Sequence, residues 1–188
     1  MCDFGSVVFL SLVWRVGKRE RKDKNVFKIV RTEALTDAIY LMDVEAPRVA
    51  KNCLPGQFVI VRGSEDGERI PLTICDYSRE AGTITIVFQV VGAATEMMKN
   101  LKVGDSFTDF VGPLGRPSEL VEEDLETLKN KKILFVAGGV GTAPVYPQVK
   151  WLHEHGVAAD VIIGGRSKEL IILEEQMKAV AGNLYITT

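Results

Sequence analysis

The hydrophobic pattern of the chain changes its period near Pro117, and this change narrows the possible folds more than any other feature. From Val26 to about Gly115, short segments rich in β-branched and aromatic residues alternate with turn sequences such as LPG, SEDGE and SREAG. Short strands at this spacing are typical of an antiparallel sheet that closes into a barrel. We therefore expect a β-barrel domain over residues 26–116, with one helix, ATEMMKNLKV, between its last strands.

A different pattern occupies residues 117–188. The run KILFVAGG is continuously apolar, which is typical of a parallel strand buried on both faces. Helix and strand patterns then alternate, in the order APVYPQVKWLHEHG, DVIIGG, LEEQMKAVAG and LYITT. Upstream, SELVEEDLETLKN predicts a solvated helix with Ser118 at its N-cap. The second part is thus predicted to be an α/β nucleotide-binding domain with a parallel sheet.

Composition excludes several functional classes. With 23 Lys and Arg against 25 Asp and Glu, the formal net charge is −2, so no global field favours nucleic acid. Cys2, Cys53 and Cys75 form no CxxC pair, which argues against a disulfide scaffold and a cysteine-held metal cluster. His153 and His155 point about 200° apart on a helix, so they cannot share a metal ion. We expect no metal site in this chain and a reducing, cytoplasmic location.

Residues 1–25 form a leader with the apolar run VVFLSLVW. This run is much shorter than the ~20 residues that a membrane-spanning helix needs. Its positive charges follow the apolar run instead of preceding it, which disfavours a secretory signal. We expect the leader to lie outside the fold, with a peripheral contact to a membrane or a partner as the alternative.

The strongest local motif is the Gly-rich turn, residues 138–144 (GGVGTAP), which leaves the apolar strand and opens a helix. Such a turn lets backbone N–H groups approach a pyrophosphate. A proline stands where the dinucleotide fingerprint has a third Gly or Ala, and no Lys-Ser/Thr pair follows to make a P-loop. The nucleotide-binding candidates are Gly138, Gly139, Gly141, Thr142 and Pro144. The alternative is a turn needed only for tight strand-to-helix packing.

The second strand of the α/β part should end near a residue that binds the adenosine ribose. Asp160 stands at the beginning of that strand, whereas Arg166, Ser167 and Lys168 follow its end. Arg166 is therefore the candidate for contact with the ribose or with a 2′-phosphate. An ordinary solvated loop is the alternative.

Two segments of the barrel are also candidates for ligand contact. Arg69, Pro71 and Thr73 alternate along a predicted strand and so face one side, where arginine suits a phosphate and threonine a ring nitrogen. Gly92 and Thr95 precede or begin a helix, where free N–H groups and a hydroxyl suit a diphosphate. The alternatives are a surface charge for Arg69 and a simple N-cap for Thr95.

Taken in chain order, five segments resemble the ferredoxin–NADP reductase superfamily: LPGQF (54–58), RIPLT (69–73), GAAT (92–95), GPLG (112–115) and the Gly-rich turn. The resemblance spans residues 26–188. Within the superfamily, ERIPLTI and APVYPQVKWLHEHG are most similar to the small, FAD- and NAD-binding subunits of NADH-dependent reduced ferredoxin:NADP oxidoreductases, also called sulfide dehydrogenase beta subunits. The electron-transfer subunits of dihydroorotate dehydrogenase are close relatives and provide the second interpretation.

The resemblance implies an FAD in the barrel and a nicotinamide dinucleotide over residues 139–144. The flavin ring would lie along Pro71, Leu72 and Thr73, with the Thr73 hydroxyl bonded near N5 as the catalytic candidate. Hydride would pass between NAD(P)H and FAD, and electrons would go to a catalytic partner subunit or to ferredoxin. Arg69, Gly92 and Thr95 would hold phosphate. A non-catalytic module that binds flavin or nucleotide is the alternative from a different functional class.

Two departures from the family pattern qualify what the resemblance implies. The family's strand usually reads Arg-x-Tyr-Ser/Thr, so Ile70 takes the arginine position, Leu72 takes the tyrosine position, and Arg69 is one residue out of register. The family also continues to further strands and a cysteine-rich [2Fe-2S] segment. We therefore expect the α/β domain to be truncated and any [2Fe-2S] cluster to belong to the missing C-terminal segment.

Overall fold

In the computed structural model, which describes residues 27–188, the strands form two separate sheets. The strands are β1 (Phe27–Ala34), β2 (Ile39–Glu45), β3 (Phe58–Arg62), β4 (Ile70–Ser78), β5 (Thr83–Gln89), β6 (Ser106–Phe107), β7 (Asp109–Leu114), β8 (Ile133–Gly138), β9 (Ala159–Gly164) and β10 (Leu184–Thr187). The helices are α1 (Pro47–Asn52), α2 (Ala93–Lys99), α3 (Leu125–Lys129), α4 (Thr142–Glu154) and α5 (Glu174–Val180). The predicted leader lies outside the described residues.

The first sheet has seven strands in the order β6-β1-β2-β5-β4-β3-β7, and all its pairs are antiparallel. Only Thr108 separates β6 from β7, so the two edge strands of the sheet are joined by one residue and the sheet curls into a nearly closed barrel. The rings of Phe107 and Phe110 lie 5.9 Å apart across this junction. The predicted antiparallel barrel is confirmed.

Alternation along the strands fills the barrel interior. On β5, for example, Ile84 and Ile86 are buried in the barrel core, while Thr83 and Thr85, which alternate with them, are partly exposed. The alternation follows from the two-residue repeat of a strand, which points successive side chains to opposite faces. The sequence pattern therefore sets which residues enter the core.

The second sheet has three parallel strands in the order β10-β9-β8. Helix α4 connects β8 to β9, and α5 connects β9 to β10. This is the predicted α/β pattern, and its fold class is confirmed. Because β8 and β9 are parallel and Gly138 pairs with Gly164, the carboxyl ends of the two strands lie at one edge of the sheet.

Three details of the sequence prediction are wrong. The predicted helix after Pro117 divides into a 3-10 turn, Glu119–Val121, and α3, because Asp124 begins a new helix by accepting a bond from the backbone N–H of Thr127 at 2.9 Å. Ser118 does accept the predicted capping bond, but for the 3-10 turn. Helix α1 was not predicted, although Pro47 at its start is a favourable first residue.

The third correction concerns β8, which is buried on one face and not on both. Leu134 is 56% exposed and Val136 is 69% exposed, whereas Ile133 and Phe135 between them pack against buried clusters. Within the described residues, α4 and α5 both pack on the Phe135 side of the sheet. The opposite face therefore has no layer over it in this part of the chain.

The barrel and the α/β part share one apolar core, which we call the shared core. Outward-facing residues of β2, β4 and β5 contact α4, β9 and α5 there. Its buried members are Ile39, Leu41, Cys75, Val87, Ala143, Tyr146, Val149, Val161, Ile163, Ile172, Leu173 and Met177. This packing fixes α4 against the outside of the barrel.

Among the described residues, no helix combines the length and the apolar character needed to cross a membrane.

Burial in the shared core, together with the negative charge of Asp76, raises the pKa of Cys75 from 9.0 to about 12. The unfolded chain ionises this thiol at a lower pH than the folded chain does. The stability contributed by the neutral thiol is therefore complete below about pH 9 and is lost as the pH rises toward the folded-state pKa.

We expect the free energy of unfolding to fall above about pH 9, and Cys75→Ala to remove about 2 kcal/mol of the fall between pH 7 and pH 10.5. Urea titrations at the two pH values measure the difference. Val87→Ala, which truncates another member of the shared core, is the control and should destabilise the protein equally at both pH values. The same pH dependence in wild type and Cys75→Ala would contradict the prediction.

Candidate functional site

Two adjacent clefts open beside the Gly-rich turn. The barrel cleft has a volume of about 510 Å³ and is lined by Ile70, Pro71, Leu72, Thr73, Val87, Phe88, Gln89, Val91, Thr95, Val140, Gly141, Ala143 and Pro144. The sheet cleft has a volume of about 500 Å³ and is lined by Thr36, Ala38, Ile39, Gln89, Gly138, Gly139, Val140, Gly164, Gly165, Arg166 and Leu170. Both volumes are in the range of small-molecule sites. Gln89 and Val140 line both clefts, which therefore adjoin each other.

Strand β4 supplies one wall of the barrel cleft. Pro71, Leu72 and Thr73, which the sequence singled out, all line it, together with Ile70. Thr73 is held in register by its pairing with Phe58 of β3. The structure thus brings the predicted flavin strand to the same cavity as the Gly-rich turn.

Arg69 is placed differently from this group. It lies just before β4, is not among the residues that line either cleft, and is bonded through Nη2 to Asp109 Oδ2 at 2.6 Å. Arg62 Nε reaches the same carboxylate oxygen at 2.8 Å. Asp109 therefore holds two guanidinium groups, and the side chain of Arg69 is directed to β7.

The three glycines of the Gly-rich turn serve different purposes. A Cβ on Gly138 would stand 3.1 Å from the carbonyl oxygen of Gly164, so the packing of β8 on β9 restricts this position. Gly139 has φ +53°, a left-handed conformation that side chains rarely adopt. A Cβ on Gly141 would meet nothing within 4 Å. Tight packing therefore explains the glycine at position 138, whereas the backbone of Gly141 faces open space that a ligand could enter.

The remaining predicted residues of the turn take different positions. Pro144 lines the barrel cleft in the first turn of α4, where its missing N–H leaves no intrahelical bond unmade. Thr142 is fully buried, does not line either cleft, and its Oγ1 has no hydrogen-bond partner among the described residues. Its hydroxyl is an unsatisfied polar group at the N-terminus of α4.

Gly92 and Thr95 form the start of α2. The Thr95 hydroxyl donates to the carbonyl of Gly92 at 2.9 Å and accepts from the N–H groups of Val91 and Gly92 at 3.0 and 3.1 Å. Thr95 is therefore occupied with shaping the chain at residues 91–92. A Cβ on Gly92 would meet nothing within 4 Å, so this glycine also faces open space.

The end of β9 lies at the sheet cleft. Arg166 is exposed and lines this cleft, whereas Asp160 lies at the other end of β9 and accepts a bond from Asn183 at 2.8 Å. No residue that lines the sheet cleft is acidic. The only charged side chain on its wall is thus cationic.

Sequence reasoning missed Gln89 and Val140, which line both clefts, and Thr36, which lines the sheet cleft. Gln89 ends the apolar strand β5 shortly before Gly92, and a polar residue at that point is the signal that was available. Thr36 and Val140 carry no such signal.

The side chains of the two clefts offer little chemistry of their own. Arg166 is the only titratable group among the residues that line them. Within residues 27–188, no group of three or more His, Cys, Asp or Glu residues has an arrangement that could hold a metal ion. These walls can bind, orient and exclude water, and a bound cofactor would have to supply redox chemistry.

Comparison with known proteins identifies the fold. No protein-family model matches the chain. It is 60% identical over 163 residues to an uncharacterized protein in the adh 3′ region of Clostridium beijerinckii, covering 87% of this chain and 55% of that protein. It is 38% identical over 160 residues to a dihydroorotate dehydrogenase B (NAD(+)) electron transfer subunit homolog from Thermotoga maritima, covering 85% of this chain and 54% of the relative.

Solved structures agree with the sequence comparison. A chain in the structure of an NADH-dependent reduced ferredoxin-NADP oxidoreductase, described in connection with flavin-based electron bifurcation, is 36% identical with a TM-score of 0.77. The match covers 88% of this chain and 57% of that one. A ferredoxin-NADP+ reductase from Plasmodium falciparum is 17% identical with a TM-score of 0.66, covers 85% and 67% of the two chains, and shows the fold alone.

This chain spans just over half the length of the relatives that it matches best among these. The resemblance predicted from the sequence is confirmed: the chain has the ferredoxin reductase-like fold and is similar over most of its length to the electron-transfer subunits of dihydroorotate dehydrogenase B.

Proposed function

We propose that this chain is the flavin- and nucleotide-binding part of an electron-transfer subunit, with an FAD domain over residues 26–116 and an NAD(P)H domain over 117–188. When bound, FAD would exchange hydride with NAD(P)H and pass electrons to a partner, either a catalytic subunit of a heteromeric oxidoreductase or ferredoxin. The names of the Thermotoga maritima relative and of the 36% identical structure support this function.

One observation carries the proposal. Strand β4, with Thr73, and the Gly-rich turn, with Gly141 and Pro144, line the same cleft although they are about 70 residues apart in sequence. Hydride exchange between two cofactors requires their reacting atoms to meet at about 3–3.5 Å, which needs one shared cavity. The barrel cleft offers such a cavity, with its two walls supplied by the two parts of the fold.

The open glycines indicate which backbone the two cofactors would approach. Gly92 would let the diphosphate of FAD come close to the start of α2, whose geometry Thr95 fixes. Gly141 would let the nicotinamide end of NAD(P)H enter the barrel cleft, while Gly138 and Gly139 face the sheet cleft. Thr73 would donate a hydrogen bond to the flavin ring, and Leu72 would pack beside it.

Two phosphate assignments change with the geometry. Arg69 is bonded to Asp109, and this bond would have to break before Arg69 could contact a diphosphate. We therefore assign no phosphate contact to Arg69. In our proposal, the hydroxyl of Thr95 does not contact the phosphate itself but fixes the backbone of Gly92, which the phosphate would approach. The backbone of α2 and the open face of Gly92 remain to hold the phosphate.

The dihydroorotate dehydrogenase electron-transfer subunit is the second candidate, since several relatives at 29–38% identity carry that name. It differs from the first in the partner that receives the electrons, not in the cofactors. A non-catalytic module would bind the same cofactors without hydride transfer. We also propose a cytoplasmic location, in keeping with the free thiols of Cys53 and Cys75.

We expect Thr73→Val to weaken FAD binding or slow flavin reduction by about fivefold, because it removes a hydrogen bond worth about 1 kcal/mol. Fluorescence titration with FAD and anaerobic reduction by NADH measure the two effects. Thr83→Val, the same change at the first residue of β5 and outside both clefts, is the control and should behave as wild type. A wild-type protein that binds no FAD at tens of micromolar would contradict the proposal itself.

Gly141→Val should abolish NADH binding with little change in melting temperature, because the new side chain enters open space that the dinucleotide needs. Gly92→Val is the matched variant at the other open glycine and should impair FAD binding instead. Calorimetric titration of each variant with each cofactor gives the comparison. Binding of ATP–magnesium with exclusion of NADH would show that the turn has been assigned to the wrong nucleotide.

Arg166 should favour NADPH relative to NADH, because a guanidinium on a wall without acids attracts a 2′-phosphate. We expect Arg166→Ala to lower the ratio of kcat/KM for NADPH to that for NADH about tenfold. Lys178→Ala, an exposed cation on α5 away from the cleft, should leave the ratio unchanged. An unchanged ratio in Arg166→Ala would contradict this prediction and favour the alternative, in which Arg166 belongs to a solvated loop and does not contact the cofactor.

A further inference from the structure

A polar contact joins the barrel to α4 beside the shared core. Lys150 Nζ of α4 donates to Asp76 Oδ1 of β4 at 2.7 Å, and each side chain is only 28% exposed. The same Asp76 oxygen accepts from the backbone N–H of Tyr77 at 2.8 Å, which fixes the carboxylate on its strand. An ion pair this sheltered is less screened by salt than a surface pair.

A β-bulge brings Asp76 to this position. The pairing of β4 with β5 shifts register between Ile74 and Asp76. Ile74 and Tyr77 pack in the barrel core, whereas Cys75 belongs to the shared core and Asp76 contacts α4. Regular alternation would point Asp76 to the same side as Ile74, into the barrel. The bulge instead turns two consecutive side chains toward α4.

A second polar contact holds α4 on another side. Ser118 Oγ donates to Gln148 Oε1 at 2.8 Å, and Gln148 Nε2 donates to the carbonyl of Pro144 at 3.0 Å. The backbone N–H of Ser118 in turn donates to Pro55 of the barrel at 2.8 Å. Because Gln148 and Lys150 are two residues apart on a helix, their side chains leave α4 about 200° apart. The helix is therefore tethered on nearly opposite sides.

Both partners of the ion pair lie on elements that line the proposed reaction cavity. Asp76 follows Thr73 by three residues on β4, and Lys150 follows Pro144 by six residues on α4. The hydrophobic effect that stabilises the shared core is non-directional. A charge-assisted hydrogen bond is directional and sets one orientation.

We infer that Asp76 and Lys150 form a positioning pair, which sets how the Gly-rich turn stands over the Thr73 strand and thereby how NADH approaches FAD. This inference rests on the function proposed above. The pair touches neither cofactor site itself, since neither residue lines the barrel cleft or the sheet cleft. Its effect would appear in the rate of hydride transfer, because small displacements of reacting atoms lower that rate strongly.

The test uses Lys150→Met, which keeps the aliphatic stem and removes the charge, and Lys150→Arg, which keeps the charge. Stopped-flow reduction of the FAD-loaded protein by NADH should give, for Lys150→Met, about a tenfold lower rate at saturating NADH with little change in Kd. Lys150→Arg should restore most of the rate. Lys129→Met is the control, since it breaks an exposed ion pair with Glu126 on α3 and should leave the rate unchanged. A lower melting temperature with an unchanged saturating rate would overturn the inference.

A second measurement needs neither cofactor. Amide hydrogen exchange over residues 139–149 should be faster in Lys150→Met than in wild type and Lys129→Met, because α4 loses one tether. Unchanged exchange would overturn the inference. If wild type binds FAD but NADH fails to reduce it, the proposed function fails, and the exchange measurement still decides whether the pair positions the turn.

Discussion

The packing of α4 against the outside of the barrel is the contact on which both clefts depend. Strands β2, β4 and β5 present Leu41, Cys75 and Val87 outward, and α4 presents Tyr146 and Val149 to them. A barrel of this size fills its interior with its own side chains, so a ligand must bind on its outer surface or at its rim. The shared core therefore creates the barrel cleft at its margin, where β4 meets the beginning of α4.

Much of the fold could be predicted from the sequence because period-two and period-3.6 patterns act locally. The barrel strands, the parallel strands and α4 all follow from such patterns, and the barrel closes because β6 and β7 are adjacent in sequence. The exposure of Leu134 and Val136 could not be predicted from the sequence. A continuous apolar run indicates a strand that can be buried on both faces, but it does not show whether other elements cover both faces. The Asp124 cap also outweighed the helical pattern around it.

The candidate site was predictable only where a residue's role is set by its neighbours in sequence. The Gly-rich turn and β4 were identified because Gly139, Pro144 and Thr73 stand in motifs of a few residues. The sequence alone suggests a phosphate contact for Arg69 but does not reveal its bond to Asp109, because a pair 40 residues apart has no local signature. Sequence also cannot separate Gly138, which packing restricts, from Gly141, which faces open space, since both are simply glycine.

The bulge in β4 shows why the contact between the two parts of the fold escaped prediction. In a regular strand, consecutive side chains point to opposite faces, so Cys75 and Asp76 could not both point toward α4. The extra residue lets β4 direct one apolar and one charged side chain toward α4, while Tyr77 returns to the barrel core. Cys75 contributes apolar contact between the two parts of the fold, and the hydrogen bond of Asp76 sets the orientation of α4. A two-residue irregularity in one strand thus links the geometry of the barrel wall to the orientation of the Gly-rich turn.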